Sequence, residues 1–243
     1  MGPIDREALR AIIDRGHSLW RARHFVESFQ TFEEALRRAE ETYGKAAIEL
    51  IDPLVALTDL SLALSCRNEG LGRDPLEFGE RALAIAASNL EPEDPRHGRI
   101  RQGLASAYLS RSAYNEALAH FGVALRSAEL VGATEFRLGG ILEGIVEALV
   151  HTGRYREAIP YAQRHAQLEE ESAAHGSIAH IVAEYQLGRV FLGAKDYISA
   201  VCHIENALAL CRARRRPFIR FEDEMLEMLA KARAGMSTDS GDR

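Results

Sequence analysis

The chain has 243 residues, 47% of them hydrophobic, which is enough apolar material for a sizeable core and ordinary for a globular protein. Its net charge of −6 argues against a general polyanion binder while leaving room for a local basic patch. No apolar run approaches bilayer-spanning length, and the start, Met1-Gly-Pro-Ile-Asp-Arg, lacks both the apolar core of a signal peptide and the hydroxyl residue that would mark Gly2 for myristoylation.

In chain order, the first predicted helical hairpin carries Gly16 and Leu19 on one helix and Phe25-Val-Glu-Ser28-Phe-Gln-Thr-Phe32-Glu-Glu-Ala35-Leu36 on the next, with Gly44 as the stop. Asp52-Pro53 reads as an N-cap and first helical residue opening a second hairpin. That hairpin has Ala63 and Cys66, then Asp74-Pro75 and Pro75…Gly79…Ala82-Leu83. The link between its helices, Glu69-Gly70-Leu-Gly72-Arg-Asp, bears glycines but not the Lys-Ser/Thr of a phosphate cradle, and reads as a turn.

Asp94-Pro95 opens the third hairpin, with Ala105 and Tyr108 followed by Tyr114-Asn-Glu-Ala117-Leu-Ala-His-Phe121-Gly-Val-Ala124-Leu125 and a stop at Gly132. The fourth has Val146, Leu149 and Gly153, then a looser Tyr155-Arg-Glu-Ala158. The fifth has Gly188 and Phe191, then Tyr197-Ile-Ser-Ala200-Val-Cys-His-Ile204-Glu-Asn-Ala207-Leu208. Beyond it, Phe218, Phe221, Met225 and Met228/Leu229 fall at helical spacing among Glu222, Asp223, Glu224 and Glu227. This predicts a capping helix over 218–234, covering the last apolar edge, and a disordered polar tail over 235–243.

The hairpins form a repeat. The small residue of each second helix recurs at Ser28, Pro75, Ala117, Ala158 and Ala200, at intervals of 47, 42, 41 and 42. Twelve residues before each stand Gly16, Ala63, Ala105, Val146 and Gly188, positions where two helices can approach closely. A glycine inside a helix costs about 1 kcal/mol against alanine, so Gly16 and Gly188 point to close packing. A period of this size means stacked helical hairpins.

The small residue, the aromatic at the turn, the Ala, the bulky residue and the Ala-Leu pair resemble the tetratricopeptide repeat (TPR). The spacing near 42 residues is similar to the longer-helix variant of kinesin light chains and their bacterial relatives, as is Glu91-Pro-Glu-Asp94-Pro95-Arg-His-Gly followed by Gly103-Leu-Ala-Ser-Ala-Tyr108. The resemblance covers residues 7–215. It implies an all-α, right-handed superhelical solenoid of about five hairpins, closed by the capping helix, and a groove on the first helices where a peptide or partner segment lies. Groove positions are then Arg10, His17 and Arg21; the apolar Leu57, Leu60 and Leu64; Arg99, Gln102 and Ser106; Glu143 and Glu147; Tyr185 and Arg189.

At the carboxylate-clamp positions of the chaperone-tail subgroup this chain has Ile13, His17, Ser61, Arg99 and Gly103, of which only Arg99 fits. The groove asparagines of the kinesin-light-chain type are missing too. Arg99 and Arg189 flanking the Glu143/Glu147 pair imply a partner segment of mixed charge.

Chemistry is sparse. No Walker loop, HExxH, GxSxG, EF-hand or dinucleotide motif is present, so no cofactor is expected. Nine histidines show no metal-ligand spacing, with His17 and His24 seven apart and His175 and His180 five apart, so no metal site is expected either. Glu143 and Glu147 share a helix face and leave three readings open: paired acid–base catalysis, a solvated surface, or a ligand-facing acidic patch. Arg212-Ala-Arg214-Arg215-Arg216 stands at a helix end before Pro217 and suits the helix dipole; without interleaved aromatics it does not predict specific nucleic-acid binding.

Cys66, Cys202 and Cys211 cannot all pair and form no CxxC, which suits a reducing compartment, and a cytoplasmic location is expected. The expected function is a non-enzymatic protein-binding scaffold or adaptor, homo-oligomeric or not. The alternative is a regulatory sensor whose repeats bind a signalling peptide or control an enzyme or transcription factor.

Overall fold

Eleven α-helices make up nearly all of the described chain. In a computed structural model, the residues described are 4–67, 73–132, 135–171, 177–213 and 222–239, without the side chains of 135–137 and 238–239. The helices are α1 Arg6–Arg21, α2 Phe25–Tyr43, α3 Ile51–Cys66, α4 Pro75–Asn89, α5 Pro95–Ser110, α6 Tyr114–Leu130, α7 Glu135–His151, α8 Tyr155–Glu171, α9 Ile178–Gly193, α10 Tyr197–Ala213 and α11 Glu222–Asp239, with a single 3₁₀ turn at Ile48–Leu50. They form two compact units, 1–131 and 132–243. Unit 1 holds three hairpins, α1/α2, α3/α4 and α5/α6; unit 2 holds α7/α8, α9/α10 and α11.

The repeat pattern has a direct packing cause. A Cβ added to Gly16 would stand 2.7 Å from the Phe32 ring, and one added to Gly188 would stand 2.5 Å from Ile204. In both hairpins the glycine of the first helix makes room for the bulky residue four positions after the small residue of the second. Ala105 and Phe121 occupy the same places in the third hairpin and are fully buried. The Ser28 hydroxyl adds a hydrogen bond to the Gly16 carbonyl at 2.8 Å.

A second recurring contact lies three residues further along the first helix and one residue back on the second. Tyr108 stacks on His120 with ring centroids 5.3 Å apart, and Phe191 stacks on His203 at 5.4 Å. The first turn of α4 is closed by Asp74, whose carboxylate accepts from the Leu76 N–H at 2.9 Å; Asp94 does the same for Arg96 in α5. The Arg96 guanidinium, bonded to Asp94 as well, holds that carboxyl down at about 2.

Asp52-Pro53 departs from the expectation. The 3₁₀ turn runs straight into α3, so Leu50 is the cap and Asp52-Pro53 lies inside the first turn. Asp52 there still favours the positive end of the helix dipole. Sequence pattern also passed over two caps, Asp5 for α1 and Ser177 for α9, each accepting from an N–H three residues on. In the loosest hairpin Pro160 sits inside α8 and removes one backbone hydrogen bond.

α11 stands where a sixth first helix would. Gly193 of α9 packs its backbone against the Tyr155 ring, and Gly235 of α11 packs against Tyr197; both members are 42 residues further on. Met225, Met228, Leu229 and Ala232 are buried against α9 and α10. The face that α9 turns to its own second helix has been made polar in α11: Asp223 and Arg233 replace the buried Ile181 and Phe191. The helix runs five residues past 234, to Asp239, while Phe218 and Phe221 of the expected stripe lie outside the described residues.

Candidate partner-binding surface

In unit 1 α3 lies beside α5, and in unit 2 α9 lies between α7 and α11, so each unit presents its own face of first helices. In unit 1, Arg10, Arg21 and Arg99 are exposed, and His17, Gln102 and Ser106 are half-buried. His17 sits edge-on to Phe32, with ring centroids 5.1 Å apart. Burial is the first cause that lowers its imidazole below the ordinary value, with Arg99 acting in the same direction and Asp52 against it. Side chains of α1, α3 and α5 therefore share one electrostatic neighbourhood.

Leu57, Leu60 and Leu64 are not part of that face: all three are buried in the core. α3 is apolar on nearly every side, so periodicity gave no preferred stripe. At Gly103 of α5, α3 presents Thr58 and Asp59. A Cβ on Gly103 would stand 3.2 Å from Asp59 Oδ1, and burial pushes the Asp59 carboxyl up to about 6 against the pull of Arg99. The signal of Asp59 in the sequence is that it is the lone charged residue between Asp52 and Arg67.

Unit 2 ties its predicted residues to one another. The Arg189 guanidinium donates to Glu147 at 2.9 Å, and His151 Nε2 lies 2.8 Å from the other Glu147 oxygen. Tyr185, placed in the groove by the sequence register, is buried; its hydroxyl donates to Glu224 of α11 at 2.5 Å and its ring underlies the Arg189 guanidinium at 5.4 Å. Burial, then the Glu224 bond, raises the phenol. Glu224 was missed because its partner is 39 residues away.

Glu143 differs from these. It is exposed, its carboxyl is raised first by desolvation and then by Glu147 and Glu169, and that carboxyl has no hydrogen-bond or ion-pair partner among the described residues. Beside it His165, 2% exposed, places Nδ1 3.2 Å from Gln186 Oε1, and burial keeps this imidazole neutral at pH 7. Arg99 belongs to unit 1, and Glu143, Glu147 and Arg189 to unit 2.

Elsewhere the charges are mostly spent locally. A cleft of about 590 Å³ between α2 and α4 is lined by Glu40, Arg73 and Arg81, with Arg81 already paired to Glu40 at 2.5 Å. Arg212 is paired with Glu222 at 2.8 Å, while Arg214, Arg215, Arg216 and the 69–72 turn, like His175, lie outside the described residues. Among the described residues no three His, Cys, Asp or Glu side chains gather as a metal site, and no helix is long and apolar enough to cross a membrane.

No known family's sequence pattern matches this chain, and no characterised protein does. Solved structures do. The kinesin light chain nearly identical TPR-like repeats of Podosopora anserina superpose with a TM-score of 0.64 at 15% identity, covering 86% of this chain and 97% of theirs. A single-substitution variant of the same repeats gives 0.63 at 16% identity, covering 83% and 93%. BtubC (BKLC) from P. vanneervenii gives 0.61 at 19% identity, covering 95% and 89%. The fold is thus the TPR-like repeat fold in its kinesin-light-chain-like form.

Proposed function

We propose that this protein is a non-enzymatic interaction scaffold, an adaptor that holds a peptide or partner-protein segment against the first-helix faces of its units. The observation that carries this reading is the fold itself, whose likeness is to TPR-like repeats over most of the chain. The faces support it: unit 1 offers Arg10, Arg21 and Arg99 to solvent, and unit 2 offers Glu143. Each face is taken by itself: acidic groups of a partner suit the arginines of unit 1, and a basic group suits Glu143 of unit 2. Arg189 is a poorer contact than its sequence position suggests, because Glu147 already neutralises it. A cytoplasmic setting fits three free thiols, two of them exposed.

Affinity capture from source cells tests the reading. Arg99→Glu and Glu143→Lys, each made alone, should cut recovery of the native partner at least several-fold while circular dichroism stays unchanged. Glu147 is left intact because a lysine there would face Arg189. Unchanged recovery with both variants, together with loss on altering second-helix surface residues such as Glu34 or Arg37, would place binding elsewhere.

A further inference from the structure

Asp59 is a half-buried charged residue of unit 1 for whose carboxylate no described residue supplies a hydrogen bond or ion pair. Its neighbours on α3 are satisfied within the helix: the Thr58 hydroxyl donates to the Leu54 carbonyl at 2.9 Å and Ser61 to the Leu57 carbonyl at 2.7 Å. Asp59 instead extends from α3 towards α5, half-buried, with Oδ1 over the bare backbone of Gly103. A side chain at 103 would crowd that oxygen. No hydrogen bond or ion pair reaches the carboxylate from any described residue; Arg99, one turn before Gly103, acts on it only at longer range. A carboxylate partly withdrawn from water without a protein donor is less favourable than a paired one.

We propose that Asp59 is the anchoring acid of the unit 1 face and takes the cationic side chain, lysine or arginine, of the segment that this face binds. The proposal rests on the scaffold reading and adds the chemistry of one subsite. A cation seated at Asp59 supplies the missing donor, and Arg99 beside it is left for an acidic neighbour in the same segment. The charged group that acts on Asp59 is Arg99 on α5; His17 on α1 in turn feels both Arg99 and Asp52. An incoming cation favours ionised Asp59, so its affinity rises as pH rises through about 6. Deprotonation of His17 as pH rises works in the same direction, and a His17→Gln background removes that contribution.

The probe is N-acetyl-lysine-N′-methylamide, with its ε-acetylated form as the uncharged control, added to the full chain with carboxyl carbons labelled for NMR. The charged probe should shift the Asp59 carboxyl saturably and lower its midpoint by about half a unit or more. The ε-acetylated form should do neither, and Asp59→Asn should abolish the response with the amide spectrum otherwise intact. Equal shifts from both forms, or none at Asp59 in the millimolar range, would overturn the assignment. Partner capture separates the two levels. Loss with Arg99→Glu but not with Asp59→Asn removes the anchor and leaves the scaffold reading standing. Indifference to both Arg99→Glu and Glu143→Lys removes the first-helix faces as the binding surface, and the anchor with them.

Discussion

Asp59 carries a measurable consequence for stability. Its folded carboxyl titrates near 6, above the ordinary value of 3.8, so the folded state holds a proton between about pH 4 and 6 that the unfolded chain has released. Its contribution is therefore unfavourable above pH 6 and fades as the pH falls to 4. Asp59→Asn should raise stability by about 1–2 kcal/mol at pH 7.5 and by almost nothing at pH 4, read from urea melts of both proteins at each pH. The buried His165 acts oppositely, weakening the fold as pH drops below 6.5, which is why the two proteins must be compared at matched pH. A gain that persists at pH 4 would show that the carboxylate is not desolvated. Backbone strain gives a second residue-level prediction. Lys195 is exposed and sits at φ 65° in the turn between α9 and α10, where Gly153 occupies the equivalent place in the preceding hairpin at φ 71°. Lys195→Gly should stabilise by a few tenths to about 1 kcal/mol, the relief of left-handed strain exceeding the added freedom of the unfolded chain.

Between elements, closeness of approach is what the small residues secure. Gly188→Leu would drive a side chain into Ile204 and its backbone, and overpacking of this kind costs about 1–3 kcal/mol. Ala105→Leu, at a fully buried position, should behave alike. Glu170→Ala changes a residue outside the core and should leave the melting temperature within about a degree. Three equal effects in thermal melts would mean that the helices do not meet at these points. The turn aromatics are the same device seen from the other side: Tyr155 against Gly193 and Tyr197 against Gly235 lock the second helix of one hairpin to the first helix that follows it.

At the level of the whole chain, α11 follows α10 as a single helix that buries Met225, Met228, Leu229 and Ala232, and a capping role for it is an expectation that truncation tests. Deleting residues 218–243 would uncover Tyr197 and the parts of α9 and α10 that Met225, Met228, Leu229 and Ala232 now cover. Exposed apolar surface of that kind promotes association, so the truncated chain should form new oligomers or aggregates in light scattering and melt at a lower temperature. A truncated chain that remains monomeric and as stable as the parent would show that α11 does not act as a cap.

The hairpins, the close-packing glycines Gly16 and Gly188, and the caps Asp74 and Asp94 were legible in the sequence because each rests on local spacing. A helix presents the same stripe every three to four residues, and a cap needs only its own first turn. The site was legible only in outline. Periodicity tells which side chains share a stripe but not which neighbour meets it. In α3, apolar nearly all round, it chose Leu57, Leu60 and Leu64 for the surface when they are core, and it passed over Asp59. The pairs Arg189–Glu147 and Tyr185–Glu224 join residues 42 and 39 apart, and a buried Tyr185 reads like an exposed one until α11 is in place. Even Asp52-Pro53, a sound cap by local rules, was displaced by the turn before it. What tertiary structure alone decided is which charges are answered inside the protein and which carboxyls, like those of Asp59 and Glu143, have no hydrogen-bond or ion-pair partner among the described residues, because that depends on donors brought close only by folding.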